Sequence, residues 1–99
     1  MTLPVAFSAA AKAEFVEAAA WYEAQRPGLG AEFIAQVEQC VRRIAQQPAR
    51  YPVVHNGVRR AVTARFPYSI YFDAQERRVV VLAVFHGRRD PAIWRRRAP

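Results

Sequence analysis

Cysteine and histidine are almost missing from this 99-residue chain. Cys40 is the single cysteine, so no internal disulfide can form. It falls on the apolar face of an expected helix, which favours inert packing over thiol chemistry. His55 and His86 are the only histidines, and no Cys/His spacing suits a metal site. The 4 glycines never gather into a phosphate-binding loop, and neither Ser8 nor Ser69 stands in a triad-like pattern. Long apolar runs are missing too, since nothing approaches the roughly 18–20 residues of a membrane span. The opening MTLPVAFSAAAKAEF has no charged leader and is broken by Pro4, Ser8 and Lys12, unlike a signal peptide. These gaps argue against disulfide scaffolds, metal centres, nucleotide loops, serine hydrolysis and a membrane partner. What they leave is a cofactor-free, cytoplasmic domain spanning residues 1–99, too short for a second core.

Negative charge is scarce in one half of the chain. Residues 1–49 carry Lys12, Arg26, Arg42 and Arg43 against Glu14, Glu17, Glu23, Glu32 and Glu38, a net of −1. Residues 50–99 carry 11 arginines against Asp73, Glu76 and Asp90, a net of +8. Such a one-sided field concentrates anionic partners and speeds encounter with them. The expected partners are a nucleic acid, a ribonucleoprotein, a nucleic-acid enzyme or an acidic protein. Hydrophobic content is 53%, enough for the chain to fold rather than remain disordered.

The periodicity changes where the charge does. Pro4–Phe7 reads as a short strand, and Ser8 stands where a helix N-cap belongs. From Ala9 to Gln25, Phe15, Ala18/Ala19 and Tyr22 recur at helical spacing, with Lys12, Glu14, Glu17 and Glu23 expected to face outward. Arg26-Pro27-Gly28-Leu29-Gly30 breaks that helix. A second helix runs from about Ala31 to Gln46 on a stripe of Phe33, Val37, Cys40/Val41 and Ile44, and Pro48 stops it. So short a link predicts an antiparallel helical hairpin. Strands are expected at Val58–Phe66, with Val58, Val62, Ala64 and Phe66 on one face, and at Tyr68–Asp73. Val79–Phe85 is apolar throughout, as a strand buried on both faces would be. The order β-α-α-β-β-β is that of an α+β domain, an antiparallel sheet packed against a helical hairpin.

Three groups of residues can carry chemistry. His86-Gly87-Arg88-Arg89-Asp90-Pro91 follows the last strand, where an imidazole beside two guanidiniums can serve acid–base chemistry on a phosphodiester. The plainer alternative is that His86 caps the strand and Asp90 pairs with an arginine. Arg59, Arg60 and Arg65 interleave with Tyr68 and Tyr71, a pattern that can hold phosphates and stack bases. It serves equally as a solvated face or one covered by an acidic partner. Trp94 is expected to pack onto the core, leaving Arg95, Arg96 and Arg97 as a flexible cationic extension.

Taken in order, WYEAQRPGLG, EFIAQVEQCVRRIAQQPARYPVV, GVRRAVTARFPYSIYF and VVVLAVFHGRRDPAIWRRR resemble the RelE/ParE superfamily of type II toxin–antitoxin toxins, and within it the ParE-like, plasmid-stabilisation branch. The resemblance implies the α+β toxin fold, a cognate acidic antitoxin and growth arrest when that antitoxin is degraded. RelE-like members bind the ribosome and cut mRNA, whereas ParE-like members are understood to poison DNA gyrase without that catalytic set. Arg88 matches the arginine that the ribonucleases place after the last strand. Their terminal tyrosine corresponds to Trp94, whose indole N–H only donates, and some have an arginine near Tyr68. The resemblance therefore favours a gyrase-directed, non-catalytic toxin, with a ribosome-dependent mRNA endonuclease using His86 and Arg88 as the alternative. The expected target- or antitoxin-binding residues are Arg59, Arg60, Arg65, Tyr68, Tyr71, His86, Arg88, Arg89, Trp94, Arg95 and Arg96.

Overall fold

A computed structural model describes residues 2–99. Its elements are β1 (Val5–Phe7), α1 (Ala9–Gln25), α2 (Leu29–Gln46), a 3-10 turn (Pro48–Arg50), β2 (Val53–His55), β3 (Val58–Val62), β4 (Tyr68–Ala74), β5 (Val79–His86) and α3 (Ala92–Arg95). Ser8 is the N-cap of α1, its Oγ accepting from the Ala11 N–H at 3.1 Å. The hairpin turns at Gly28, whose φ of 89° is left-handed backbone that glycine adopts without strain. Gly28 has no side chain to cap α2, so Glu23 of α1 does it. Its carboxylate accepts from the N–H groups of Gly28 at 2.9 Å and Gly30 at 3.0 Å.

The α+β architecture is as the sequence led us to expect, with three differences in detail. A short strand, β2, precedes β3, and its run Val53–His55 is too brief to show alternation. β3 stops at Val62 instead of Phe66. Val58 and Ala61 are its buried residues, while Val62 is 62% exposed and Ala64 is exposed. The sheet is mixed: its order is β1-β5-β4-β3-β2, and β1 pairs in parallel with β5 through Val5–Val79, Ala6–Val80 and Phe7–Val81.

One irregularity decides which residues face where. Along β4 and β5, Tyr71 pairs with Ala83 but Phe72 pairs with Val81, so Leu82 is an extra residue on β5. Because side chains alternate along a strand, one extra residue inverts the faces. Val79, Val81 and Val84 therefore pack beneath the helices with Phe33, Val37, Ile44, Ile70 and Phe72. Ala83 and Phe85 point to the opposite face, where they form a smaller core with Val58 and Trp94 of α3. The central strand is buried on both faces, as its unbroken apolar run indicated.

The hairpin closes tightly at Gly30. A Cβ there would lie 2.7 Å from the Ala19 carbonyl oxygen and 2.9 Å from Glu23 Oε1. Alanine is the better helix former by about 1 kcal/mol, yet here it would push against backbone and displace the capping carboxylate. Gly30→Ala is expected to lower stability by about 1–3 kcal/mol, measured as a lower midpoint in thermal or urea unfolding. An unchanged or higher midpoint would show that the helices part freely.

Candidate functional site

The cationic half does not present its arginines as one surface. Arg59 reaches back to the 3-10 turn and donates to the carbonyl oxygens of Ala49 and Tyr51. Arg60 donates through Nε to Ser69 Oγ at 3.1 Å. Arg65 sits in the loop after β3 at a left-handed φ of 70° and pairs with Glu32 of α2 at 3.0 Å. Glu32 also holds Arg26 at 2.9 Å. Bonding to Arg65 is the largest influence holding the Glu32 carboxyl below its usual range. Tyr68 and Tyr71 lie on opposite faces. Tyr68 packs with the helix-side core, while Tyr71 is stacked on Trp94 with centroids 4.0 Å apart. The expected Arg59–Arg60–Arg65–Tyr68–Tyr71 platform is therefore not brought together. Three of these arginines are committed to fastening loops and strands.

A carboxylate expected to face outward organises the other end of the sheet. Glu14 of α1 is turned inward, its side chain 11% exposed. Helical spacing puts position 14 at the border of the buried stripe, and its charge suggested the wrong side. β1 covers the edge of β5 only as far as Val81. Beyond it the chain turns into α1, and Glu14 Oε1 accepts from the Val84 N–H at 3.1 Å in place of a neighbouring strand. Arg97 completes the edge, donating to Leu82 O at 2.9 Å and forming a two-pronged pair with Glu14. Arg89 adds a bond to Glu14 Oε2 at 3.1 Å and lies over the Phe85 ring at 4.3 Å. Arg97 is thus part of a fixed clasp and not of a flexible extension.

The clasp holds α3 on the sheet. Asp90 Oδ1 caps the turn into α3 through the Ala92 N–H at 2.9 Å, and pairs with no arginine among the described residues. Pro91 precedes the first helical residue. Trp94 is 3% exposed against Tyr71 and edge-on to His55, as expected of a docked ring. Its Nε1 is buried with no hydrogen-bond acceptor among the described residues.

With Arg89 and Arg97 engaged, Arg88, Arg95 and Arg96 are left around α3 without a carboxylate or carbonyl partner among the described residues. The Arg88 backbone N–H donates to His86 Nδ1 at 3.0 Å. On the helix side, His86 stands edge-on to Tyr68 at 5.3 Å, beside Tyr22 and a 60% exposed Trp21. Trp21 and Tyr22 did not stand out as site residues in the sequence, where Tyr22 read as part of the buried stripe of α1 and no role fell to Trp21. Burial pushes both the Tyr22 and the Tyr68 phenol above the ordinary tyrosine range. Burial likewise pushes the Cys40 thiol up to about 11, so it stays protonated and unreactive. Among the described residues, no group of three or more His, Cys, Asp or Glu side chains stands close enough to hold a metal ion. Nor, among those residues, is any helix long and apolar enough to cross a membrane.

The two roles within the closing segment separate by mutation. Trp94→Ala removes a buried ring and should cost roughly 3–5 kcal/mol, lowering the thermal midpoint sharply. Replacing Arg95 and Arg96 by alanine should leave that midpoint almost unchanged, because neither side chain closes a structural contact with an acid. An unaltered midpoint for Trp94→Ala would mean that the ring does not support the second core.

Comparison with known proteins agrees with this geometry. No curated protein matches the chain in sequence. Among solved structures, a chain of a chromosomal ParDE toxin–antitoxin system from P. aeruginosa superposes with a TM-score of 0.76. It is 17% identical, and the match covers 86% of this chain and 96% of that one, a likeness of fold. The family model describing the ParE toxin of the type II toxin–antitoxin system parDE matches residues 5–91. That span runs from β1 through the helical hairpin and the whole sheet to the start of α3, and the chain accordingly belongs to the ParE toxin family.

Proposed function

We propose that the protein arrests growth by binding DNA gyrase, and that a cognate acidic antitoxin neutralises it by covering cationic surface. The observation carrying this reading is the environment of Trp94. The resemblance sets Trp94 at the position of the terminal, titratable tyrosine of the ribonuclease branch, six residues beyond Arg88. Here an indole that cannot exchange a proton near neutral pH lies stacked on Tyr71 and 3% exposed. His86 is a poor substitute. Its Nδ1 accepts from the Arg88 N–H, so in the neutral ring the proton sits on Nε2, which then donates rather than accepts. The phenol of Tyr68, the nearest tyrosine to His86, is held protonated by burial. A binding mechanism needs none of these proton transfers. It needs exposed, uncommitted charge, which Arg88, Arg95 and Arg96 supply.

The antitoxin half of the proposal rests on family membership and on the charge imbalance. A disordered acidic segment that folds on this surface would gain from arginines already fixed in place, and its association should weaken with salt. Two assays on the purified protein separate the possible targets. Accumulation of gyrase-dependent DNA cleavage, with translation intact, is the expected result. Cuts in mRNA on purified ribosomes, abolished in His86→Ala or Arg88→Ala, would overturn it in favour of the endonuclease.

A further inference from the structure

The two helices of the hairpin differ in what they turn to water. Over its second half α2 exposes Glu38, Gln39, Arg42 and Arg43, an ordinary solvated face. α1 has no such face. By helical spacing Ala9, Ala13, Val16, Ala20 and Ala24 fall within about 80° of one another around its axis, and all five are exposed. Val16, in the middle of this stripe, is 58% exposed, and Trp21 beside it is 60% exposed. The opposite side of α1 is already used, with Ala11 and Ala18 buried beneath it. A helix that is apolar on every side is normally covered on every side, and an exposed apolar patch marks a contact surface.

The flanking charges indicate what covers it. Along the stripe one cation, Lys12, stands against the two carboxylates of Glu17 and Glu23, and α1 contains no arginine. The acidic or phosphate-bearing partners that suit the α3 end gain no attraction here. Lys12 and Glu23 share one flank of the stripe, about three turns apart, and lie equally far from the middle of the helix. Lys12 has no acidic partner among the described residues. Glu23 is engaged with the N–H groups of Gly28 and Gly30, yet keeps its negative charge on an exposed residue. Two copies of α1 packed antiparallel about a twofold axis through its middle would set Lys12 of each beside Glu23 of the other. The same register lays Val16 of each copy against Ala20 of the other, large side chain to small, and every contact is made twice. We propose that two copies of this chain associate in this way, α1 against α1. Alanine at four of the five stripe positions lets the helix axes approach to about 8 Å, the close end of the usual range. Glu17 lies on the other flank near the axis, so the pair brings two like charges together and is weakened by them. The helices and α3 pack on opposite faces of the sheet, so the association leaves α3 of both copies uncovered and does not depend on the toxin's target.

The test is the mass of the purified full-length protein in sedimentation equilibrium, from low micromolar to near-millimolar concentration. A species of twice the 11.3 kDa of one chain, dissociating on dilution, is expected. Val16→Glu and Ala20→Glu put charge into the stripe without touching the core. Each should weaken association by about tenfold or more, with the thermal midpoint of the dilute protein unchanged. Lys12→Glu sets like charges opposite each other at both ends and should weaken it several-fold. Glu17→Gln removes the repulsion at the axis and should tighten it. A chain that stays monomeric at near-millimolar concentration overturns the proposal. A dimer left intact by Val16→Glu and Ala20→Glu overturns it too, because the copies would then meet elsewhere. So does a monomeric chain whose Val16→Glu variant no longer binds the cognate antitoxin, which would assign the stripe to that partner.

Discussion

The arrangement of the cationic end depends on one carboxylate. Glu14 bonds at once to the backbone of β5, to the loop after β5 and to the residue beyond α3. It spans 70 to 83 residues of sequence in doing so. The need arises from topology. β1 is 3 residues long and leaves the outer edge of β5 bare from Leu82 onward. A bare edge invites pairing with another chain and leaves buried backbone groups unsatisfied. A charged acceptor on α1 and a charged donor on Arg97 satisfy those groups. Because both are ionised and partly screened from water, their mutual bonds are stronger than neutral ones.

The same carboxylate decides which charges are available to a partner. An arginine in an ion pair contributes little field beyond it, whereas an unpaired one contributes fully. Counting charge along the sequence treats all 11 arginines of the second half alike. In the fold, Arg59 and Arg60 fasten backbone and strand, Arg65 joins the sheet loop to α2, and Arg89 and Arg97 close the clasp. The uncommitted cations nearest α3 are Arg88, Arg95 and Arg96. Under the proposed binding mechanism these are the side chains free to meet a partner, and the rigid support beneath them lowers the ordering cost of association.

Most of the fold was legible in the sequence because its signals are local. Ser8 as N-cap, a break after Gln25 (shorter than expected, since Leu29 and Gly30 already belong to α2), the stripe Phe33–Ile44 and the docking of Trp94 each follow from a few neighbouring residues. The bulge at Leu82 was not legible. In the run VVVLAVF every residue is apolar, so a change of face leaves no mark in the pattern. The inward turn of Glu14 was hidden for a related reason: its partners are fixed by tertiary contact, and charge alone suggested solvent. The site was legible in part. The Arg88 N–H bonds the His86 ring, but Tyr68 and Tyr71, which strand alternation alone puts on opposite faces, cannot join the arginines in one platform. Trp21 gave no signal, since it lies outside the apolar stripe of Phe15, Ala18/Ala19 and Tyr22 and matches no motif, and its 60% exposure is visible only in the fold.

The claim that Glu14 and Arg97 act as one clasp is tested most directly by a double-mutant cycle. Unfolding free energies of the native protein, Glu14→Ala, Arg97→Ala and the double variant give the coupling between the two residues. A coupling above about 1 kcal/mol is predicted, with both single variants less stable than the native chain. Losses that add to within about 0.3–0.5 kcal/mol would contradict the account, because the C-terminal helix would then be held without the clasp.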